Sequence, residues 1–384
     1  MKTYQFVTFI SIVLLVYSAV NYLIFIRGWS ALPNNSLSKG IYSFVFVCLF
    51  LAYILSRVFE RTDLTELSVT LNRIGSFWLS AMLYLTLFNI FADLMRLANH
   101  FIHFFPQFIT NDWQKTKLIY LLFTTISTIG ILTYGFINDM NPRLKEMEIY
   151  IDKSSNLKNL KIVMASDIHI GPIINYEKVN RLVERINELK PDLVLFPGDI
   201  LDEDVSLVKK QASGEPIKNI KSKYGVFAIP GNHEYIGGIE SASNYIESLG
   251  IKLLRDKFVL IDNSFYLIGR DDRSKNQFTG GKRADLSSII SEVDHQFPLI
   301  MMDHQPFGLN EAVFSGIDLQ LSGHTHHGQL WPFNYITKKI YEVSWGYKVI
   351  EKTQFYVSSG YGSWGPPVRT GNYPELVVIN IKFR

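Results

Sequence analysis

Asp167 and His169 in "SDIH", Asp199 in "PGDI", Asn232 and His233 in "GNHE", His304 in "MDHQP", and His324 and His326 in "SGHTHH" are the side chains best placed by type and spacing to do chemistry. Together they offer carboxylates, one amide and several imidazoles. Imidazole mixed with carboxylate oxygen suits Mn, Zn or Fe, whereas an all-oxygen set would suit Mg or Ca. A set this large can hold two divalent ions with one carboxylate bridging them. Two ions about 3.5 to 4 Å apart can clamp the attacking and leaving oxygens of a phosphoryl displacement and lower the pKa of a bridging water toward neutrality. The chain has nine histidines, and three of them, His324, His326 and His327, fall within four residues between Gly323 and Gly328.

The elements that must position these residues are short apolar strands. "LKIVMASDIHI", "PDLVLFPGDI" and "YGVFAIPGNHE" each read as a buried strand that ends in a polar cluster beside Gly or Pro. Between the first two, "NYEKVNRLVERINELK" repeats its apolar positions at helical spacing. Strand, helix, strand order predicts an α/β sheet, and the carboxyl ends of such strands are where ligands bind. "FVLIDNSFYLIG", "FPLIMMDHQPFG", "IDLQLSGHTHHG", "QFYVSSGYGSWGPP" and "ELVVINIKF" add strands with fewer helices between them, so a second sheet is expected. Glycines next to the polar clusters let the backbone turn sharply and come close to the site. A lone Asp-x-His is more often a turn pair, and "HTHH" alone can be an adventitious metal-binding tract. Five clusters in one order, each closing an apolar strand, point to a metal site.

Over roughly residues 161–383 the chain resembles the calcineurin-like metallophosphoesterases, through D-x-H, G-D, G-N-H-E, H-x-P and G-H-T-H in combination. The resemblance implies an α/β fold, an αββα sandwich of two sheets flanked by helices. It implies that Asp167, His169, Asp199 and His326 hold one metal, and that Asp199 as bridge, Asn232, His304 and His324 hold the other. His233 matches the family's non-ligand histidine, which protonates the leaving oxygen or stabilises developing phosphate charge. His327 stands where glycine is expected in close relatives and reads as an exposed or supporting histidine. Asp303 stands where an apolar residue is common, and a carboxylate there can orient the His304 ring. The tail "SSGYGSWGPPVRTGNYPELVVINI" resembles a narrower, membrane-tethered branch related to bacterial hydrolases of UDP-diacylglucosamine and similar phosphodiesterases. In that tail Arg369 either offers a bidentate fork to a phosphate oxygen or is simply exposed. The aromatic stretch 330–347 reads as a wall of the substrate pocket, a membrane-interface surface, or core.

The first part of the chain differs in kind. Apolar residues make up 47% of the sequence and charged residues only 19%, which suits a membrane part joined to a soluble part. Four apolar stretches, Tyr4–Ile26, Ile41–Phe59, Phe77–Leu97 and Leu118–Ile137, approach or reach the roughly 20 residues needed to cross a bilayer. The expected division is residues 1–145 as a transmembrane helical domain and 146–384 as the catalytic domain. Continuation of the first run to Ile26, with three more behind it, argues against a cleaved signal peptide. Four spans put the N-terminus and everything after Asn138 on one side. Lys2, Arg57, Arg61, Arg73, Arg143 and Lys145 lie there, against Arg27, Lys39, Arg96, Lys115 and Lys117 opposite. That slight excess favours a cytoplasmic catalytic side of a bacterial inner membrane. Asp93 and Arg96, three apart on the third span, are expected to pair.

A net charge of +3 gives no argument for nucleic acid, and the single cysteine, Cys48, excludes an intrachain disulfide or thiolate cluster. The expected function is a membrane-anchored two-metal hydrolase of phosphate esters, diester or monoester, acting through a metal-bridging hydroxide on a substrate that tethering makes plausibly amphiphilic. Its expected partners are the bilayer and that phosphate ester, with no obligate protein partner. The alternative is a non-catalytic membrane sensor or scaffold that keeps the fold, whose signature would be a lost ligand position.

Overall fold

The computed structural model describes every residue except Met1, Lys2, Glu60, Arg61, Asp63, Leu64, Glu203 and Asp204. Lys2 and Arg61, two of the charges weighed for orientation, therefore lie outside the described residues. The chain divides into residues 1–137 with 365–368, and residues 138–364 with 369–384.

In the first unit, α1 (Thr3–Ala31), α2 (Ser36–Phe59), α3 (Thr65–Ile102) and α5 (Trp113–Asp139) are long helices, with a single turn, α4 (Gln107–Thr110), before the last. By length and composition each of the four long helices suffices to cross a membrane. They run beyond the apolar stretches that announce them. The stretch after Phe59, read from its charges as connector, is already helix from Thr65, because its polar residues find partners inside the bundle. Ser68, for example, is buried and its hydroxyl donates to the Ser56 carbonyl at 2.9 Å. A small apolar core of Ile24, Phe46, Trp78, Ala81 and Met82 joins α1, α2 and α3. Buried Asn21 accepts from Trp78 Nε1 at 2.9 Å and donates to the Tyr17 carbonyl, so this interior polar group is satisfied. Gln114 at the start of α5 donates to the carbonyls of Ser30, Ala31 and Leu32, tying it to the end of α1. Leu15, Phe44 and Ile126 instead point outward and are exposed. That is the pattern of a bundle whose outer solvent is apolar.

The second unit holds two six-stranded sheets. The first runs β1 (Arg143–Ile151), β12 (Glu375–Phe383), β2 (Asn159–Met164), β3 (Leu193–Pro197), β4 (Val226–Ile229), β5 (Lys252–Leu253). The second runs β10 (Gly346–Ile350), β11 (Thr353–Val357), β9 (Leu319–Ser322), β8 (Leu299–Met302), β7 (Phe265–Gly269), β6 (Lys257–Ile261). β1 starts ahead of the expected boundary at 146. It belongs to the first sheet because it pairs in parallel with β12 along its whole length. The inner faces of both sheets meet in one core that includes Met164, Leu195, Phe227, Leu267, Met302 and Leu321. Helix α6 (Tyr176–Leu189), capped by the Asn175 side chain on the Lys178 amide, buries Val179, Leu182, Val183 and Ile186 on the outer face of the first sheet. Those positions recur at helical spacing, as the sequence predicts. The αββα sandwich expected from the motifs is the observed architecture.

The strand directions decide where chemistry can happen. β2, β3 and β4 are mutually parallel, as are β7, β8 and β9, so Asp167, Asp199 and Asn232 follow the same ends of one sheet. His304 and His324 follow the corresponding ends of the other.

Candidate metal centre

Six residues of this region have left-handed backbones without being glycine: Asp167 (φ 52°), His169 (53°), Asp199 (50°), His324 (70°), His326 (43°) and His327 (44°). Such conformations cost free energy and persist where the surroundings over-determine them, which is characteristic of functional sites. Glycine is required beside them for space. A Cβ on Gly198, whose φ is +91°, would lie 2.4 Å from His304 Nδ1, and one on Gly323 would lie 2.2 Å from Asp167 Oδ2.

The predicted ligands converge. Asp167, His169 and His326 form one group whose donor atoms lie within 4.8 Å of one another, and Asp199, His304 and His324 form another. His169, Asp199 and His233 form a third that links the two. His169 Nε2 faces His326 Nε2 at 3.0 Å, and His326 Nε2 lies 3.5 Å from Asp167 Oδ1. On the other side His304 Nε2 is 3.1 Å from Asp199 Oδ2, and His324 Nδ1 is 2.8 Å from Asn232 Oδ1. Asp199 Oδ2 is also 3.9 Å from His169 Nε2, so this carboxylate reaches both groups. Asp167 and Asp199 are buried, as are His169, His304 and His326. Asn232 and His324 are half-buried.

These residues fit a divalent cation. His169 Nδ1 is buried without a hydrogen-bond partner, and His304 Nε2 has none in good geometry although Asp199 Oδ2 lies 3.1 Å away. The facing Nε2 atoms of His169 and His326 cannot both be satisfied by one proton, and leaving buried polar atoms unmet is costly. Burial works against every charge here, and the neighbours decide the rest. The His304 and His233 imidazoles hold Asp199 well below the usual carboxylate range, while Asp199 in turn holds His304 well above the usual imidazole value. Burial followed by the neighbouring His304 pushes His324 down to about 3, and burial with His169 pushes His326 far down, so both stay neutral and able to donate a lone pair.

His233 sits at the start of α8 (Asn232–Ile236). Its amide donates to Asp199 Oδ1 at 2.9 Å, and its Nδ1 donates to the Asp202 carbonyl. Burial opposes its charge, but the Asp199 and Asp202 carboxylates push it up to about 10.

Two positions that sequence reading left unassigned complete the site. Asp202 Oδ1 lies 3.7 Å from His169 Nδ1 and 3.5 Å from His233 Nδ1, within ion-pair reach of both rings, while its carbonyl fixes the His233 ring. Glu234, fully buried at the third position of α8, accepts from the amides of Gly231 (2.7 Å), Leu201 (2.9 Å) and Asp199 (3.2 Å). It thereby ties the loop after β3 to the loop after β4. The only signal for it was an acid in a first helical turn, the reciprocal half of a capping box. Glu234→Ala orphans three amides and should cost about 3 kcal/mol or more. A lowered melting temperature of the detergent-solubilised chain, partly restored in Glu234→Gln, is the expected result.

Two expectations are corrected, and one of the two readings of His327 is removed. Arg369 is neither exposed nor open to a phosphate. It is fully buried, donating to Ser363 Oγ (3.0 Å), the Ser359 carbonyl (2.8 Å), Asn372 Oδ1 (3.0 Å) and the Gly362 carbonyl, and it rests 3.3 Å from His326 Nδ1. Asp303 does not orient His304, because Arg283 takes both its oxygens at 2.9 and 3.1 Å. The Pro197 carbonyl holds His304 Nδ1 instead, at 2.7 Å. His327 is not exposed: it is buried, with Nδ1 3.0 Å from Ser344 Oγ.

The calcineurin-like phosphoesterase family model matches residues 160–328. A metallophosphoesterase of Campylobacter jejuni is 31% identical over 98% of this chain and 99% of its own length. One from Helicobacter pylori is 36% identical over 67% of this chain and 68% of its own. A zebrafish protein named as a transmembrane protein with a metallophosphoesterase domain is 32% identical, over 67% of this chain and 61% of its own.

Proposed function

The chain belongs to the calcineurin-like phosphoesterase family, and from that premise we propose that it is a membrane-anchored hydrolase of phosphate esters using two divalent ions. The observation that carries this reading is the sharing of Asp199 between the His169 and His304 sides of the cluster. Asp167, His169, Asp199 and His326 would hold one ion, and Asp199, Asn232, His304 and His324 the other. When bound, such ions lend Lewis acidity to the phosphoryl oxygens and to the attacking water.

The chain's own residues supply the rest. With Nδ1 committed to the Asp202 carbonyl, His233 keeps Nε2 for proton delivery to the leaving oxygen. Asp202 holds the ring in that orientation. Rings flank the opening: Trp364, largely exposed, meets His233 edge-on at 6.3 Å, and Tyr341 stands 6.1 Å from His324 with Phe307 packed against it. Directly after the ligand loop, the helix Phe333–Ile340 exposes Phe333, Tyr335, Ile336 and Ile340 beside Lys338 and Lys339. An apolar face with neighbouring cations supports an amphiphilic phosphate ester as substrate.

The test uses the full chain, stripped of metal and refilled with Mn²⁺, on bis-p-nitrophenyl phosphate and p-nitrophenyl phosphate. Activity that returns with metal is the expected outcome, and the diester-to-monoester ratio then names the reaction. Metal binding without turnover of either compound, or of a phospholipid presented in vesicles, would favour the sensor or scaffold instead. We also assign the catalytic unit to the cytoplasmic side, on the excess of Lys and Arg at that end of the spans. In an exposed-site variant, Ser154→Cys, an impermeant thiol reagent should label only permeabilised cells; labelling of intact cells reverses the orientation.

A further inference from the structure

At the end where α1 stops and α5 starts, Gln114 ties these two helices together, yet space remains between the four long helices of the first unit. They enclose a cavity of about 910 Å³. Phe46, Leu49, Trp78 and Leu85 form its apolar depth, while Arg27, Arg96 and Lys117 stand at its rim. Arg27 Nη2 holds Asp93 Oδ2 at 2.6 Å, and Arg96 Nη1 lies 3.8 Å from Asp93 Oδ1. The pairing expected of Asp93 and Arg96 is thus shared with Arg27, so one carboxylate meets two cations while Lys117 adds a third positive charge to the rim. The side chains of Arg27, Asp93 and Arg96 are 39 to 62% exposed at the mouth of the cavity, where the two arginines can reach a polar headgroup. The volume is at the upper end for a ligand pocket. It is also built in two parts: long apolar walls that only a hydrocarbon chain matches, and a net positive mouth that only an anion matches.

We infer that this cavity is a binding site for an anionic phospholipid, with the phosphate between Arg27, Arg96 and Lys117 and an acyl chain against Phe46, Leu49 and Trp78. A Lys or Arg beside an anionic headgroup contributes about 1 kcal/mol. The site is separate from the metal centre, and its occupancy does not depend on the hydrolase reading.

Native mass spectrometry of the full chain tests it, with dioleoyl phosphatidylglycerol titrated against dioleoyl phosphatidylcholine. The expected result is a preference for the anionic lipid of about 30-fold, removed in Arg96→Gln/Lys117→Gln. Both of those side chains are exposed, so the double variant should leave the bundle folded. Ala92→Phe, at the cavity wall, should weaken retention of the lipid with the rim charges intact. Equal binding of the two lipids, or a preference that survives the double variant, overturns the inference. Displacement of the lipid by inorganic phosphate alone would overturn it too, in favour of a small-anion site.

Discussion

Asp199→Asn should abolish hydrolysis of bis-p-nitrophenyl phosphate and lower the bound metal from two ions to one or fewer. The substitution keeps the shape of the side chain, and its oxygen can still accept from the His233 amide. What it removes is the charge on Oδ2, the atom 3.1 Å from His304 and 3.9 Å from His169. A neutral amide cannot offset two cations at once, and buried charge left uncompensated is expensive. The loss of kcat should exceed the roughly 10 to 100-fold that follows removal of a mere outer partner of a ligand. Metal analysis on the same preparation separates the causes. Activity within tenfold of the parent, with two ions retained, would falsify the assignment of Asp199 as the shared ligand.

The second large effect belongs to His233. His233→Ala should lower kcat by about 10² to 10⁴-fold, the usual worth of general acid–base help, with bound metal unchanged. The loss should also depend on what leaves. p-Nitrophenolate is a stable anion and hardly needs a proton, so the variant should be impaired least on nitrophenyl esters and most on alkyl esters. A uniform loss on both would move His233 from proton donor to a role in stabilising charge on the phosphoryl group. If the variant instead loses metal, His233 is a ligand, as its grouping with His169 and Asp199 allows.

The side chains that converge were legible in the sequence because each lies within a few residues of the end of an apolar strand. Strand, glycine and ligand are read together, and parallel strands then bring their ends to one place. What the sequence hid is held by contacts between distant segments. Glu234 meets Asp199 across 35 positions, and Arg283 reaches Asp303 across 20. Both readings of Arg369, a fork to phosphate and an exposed side chain, failed for the same reason: its carbonyl acceptors at Ser359 and Gly362, which turn it inward, are set by the fold. In the membrane part, apolar runs reveal the helices but not their ends, since residues such as Ser68 satisfy themselves inside the bundle.

The place of β12 has a consequence for how the chain is made. Among the described residues β1 pairs with β12 alone, and β12 in turn pairs with β2, so residues 375–383 join the first strand of the sheet to the rest. While synthesis is still short of residue 375 the sheet is unfinished, with β1 and β2 each offering a bare edge. Such edges are templates for wrong pairing while synthesis continues. The strand 375–383 is therefore the keystone of the sheet, and a nascent chain stalled before residue 375 should be a target for chaperones and proteases.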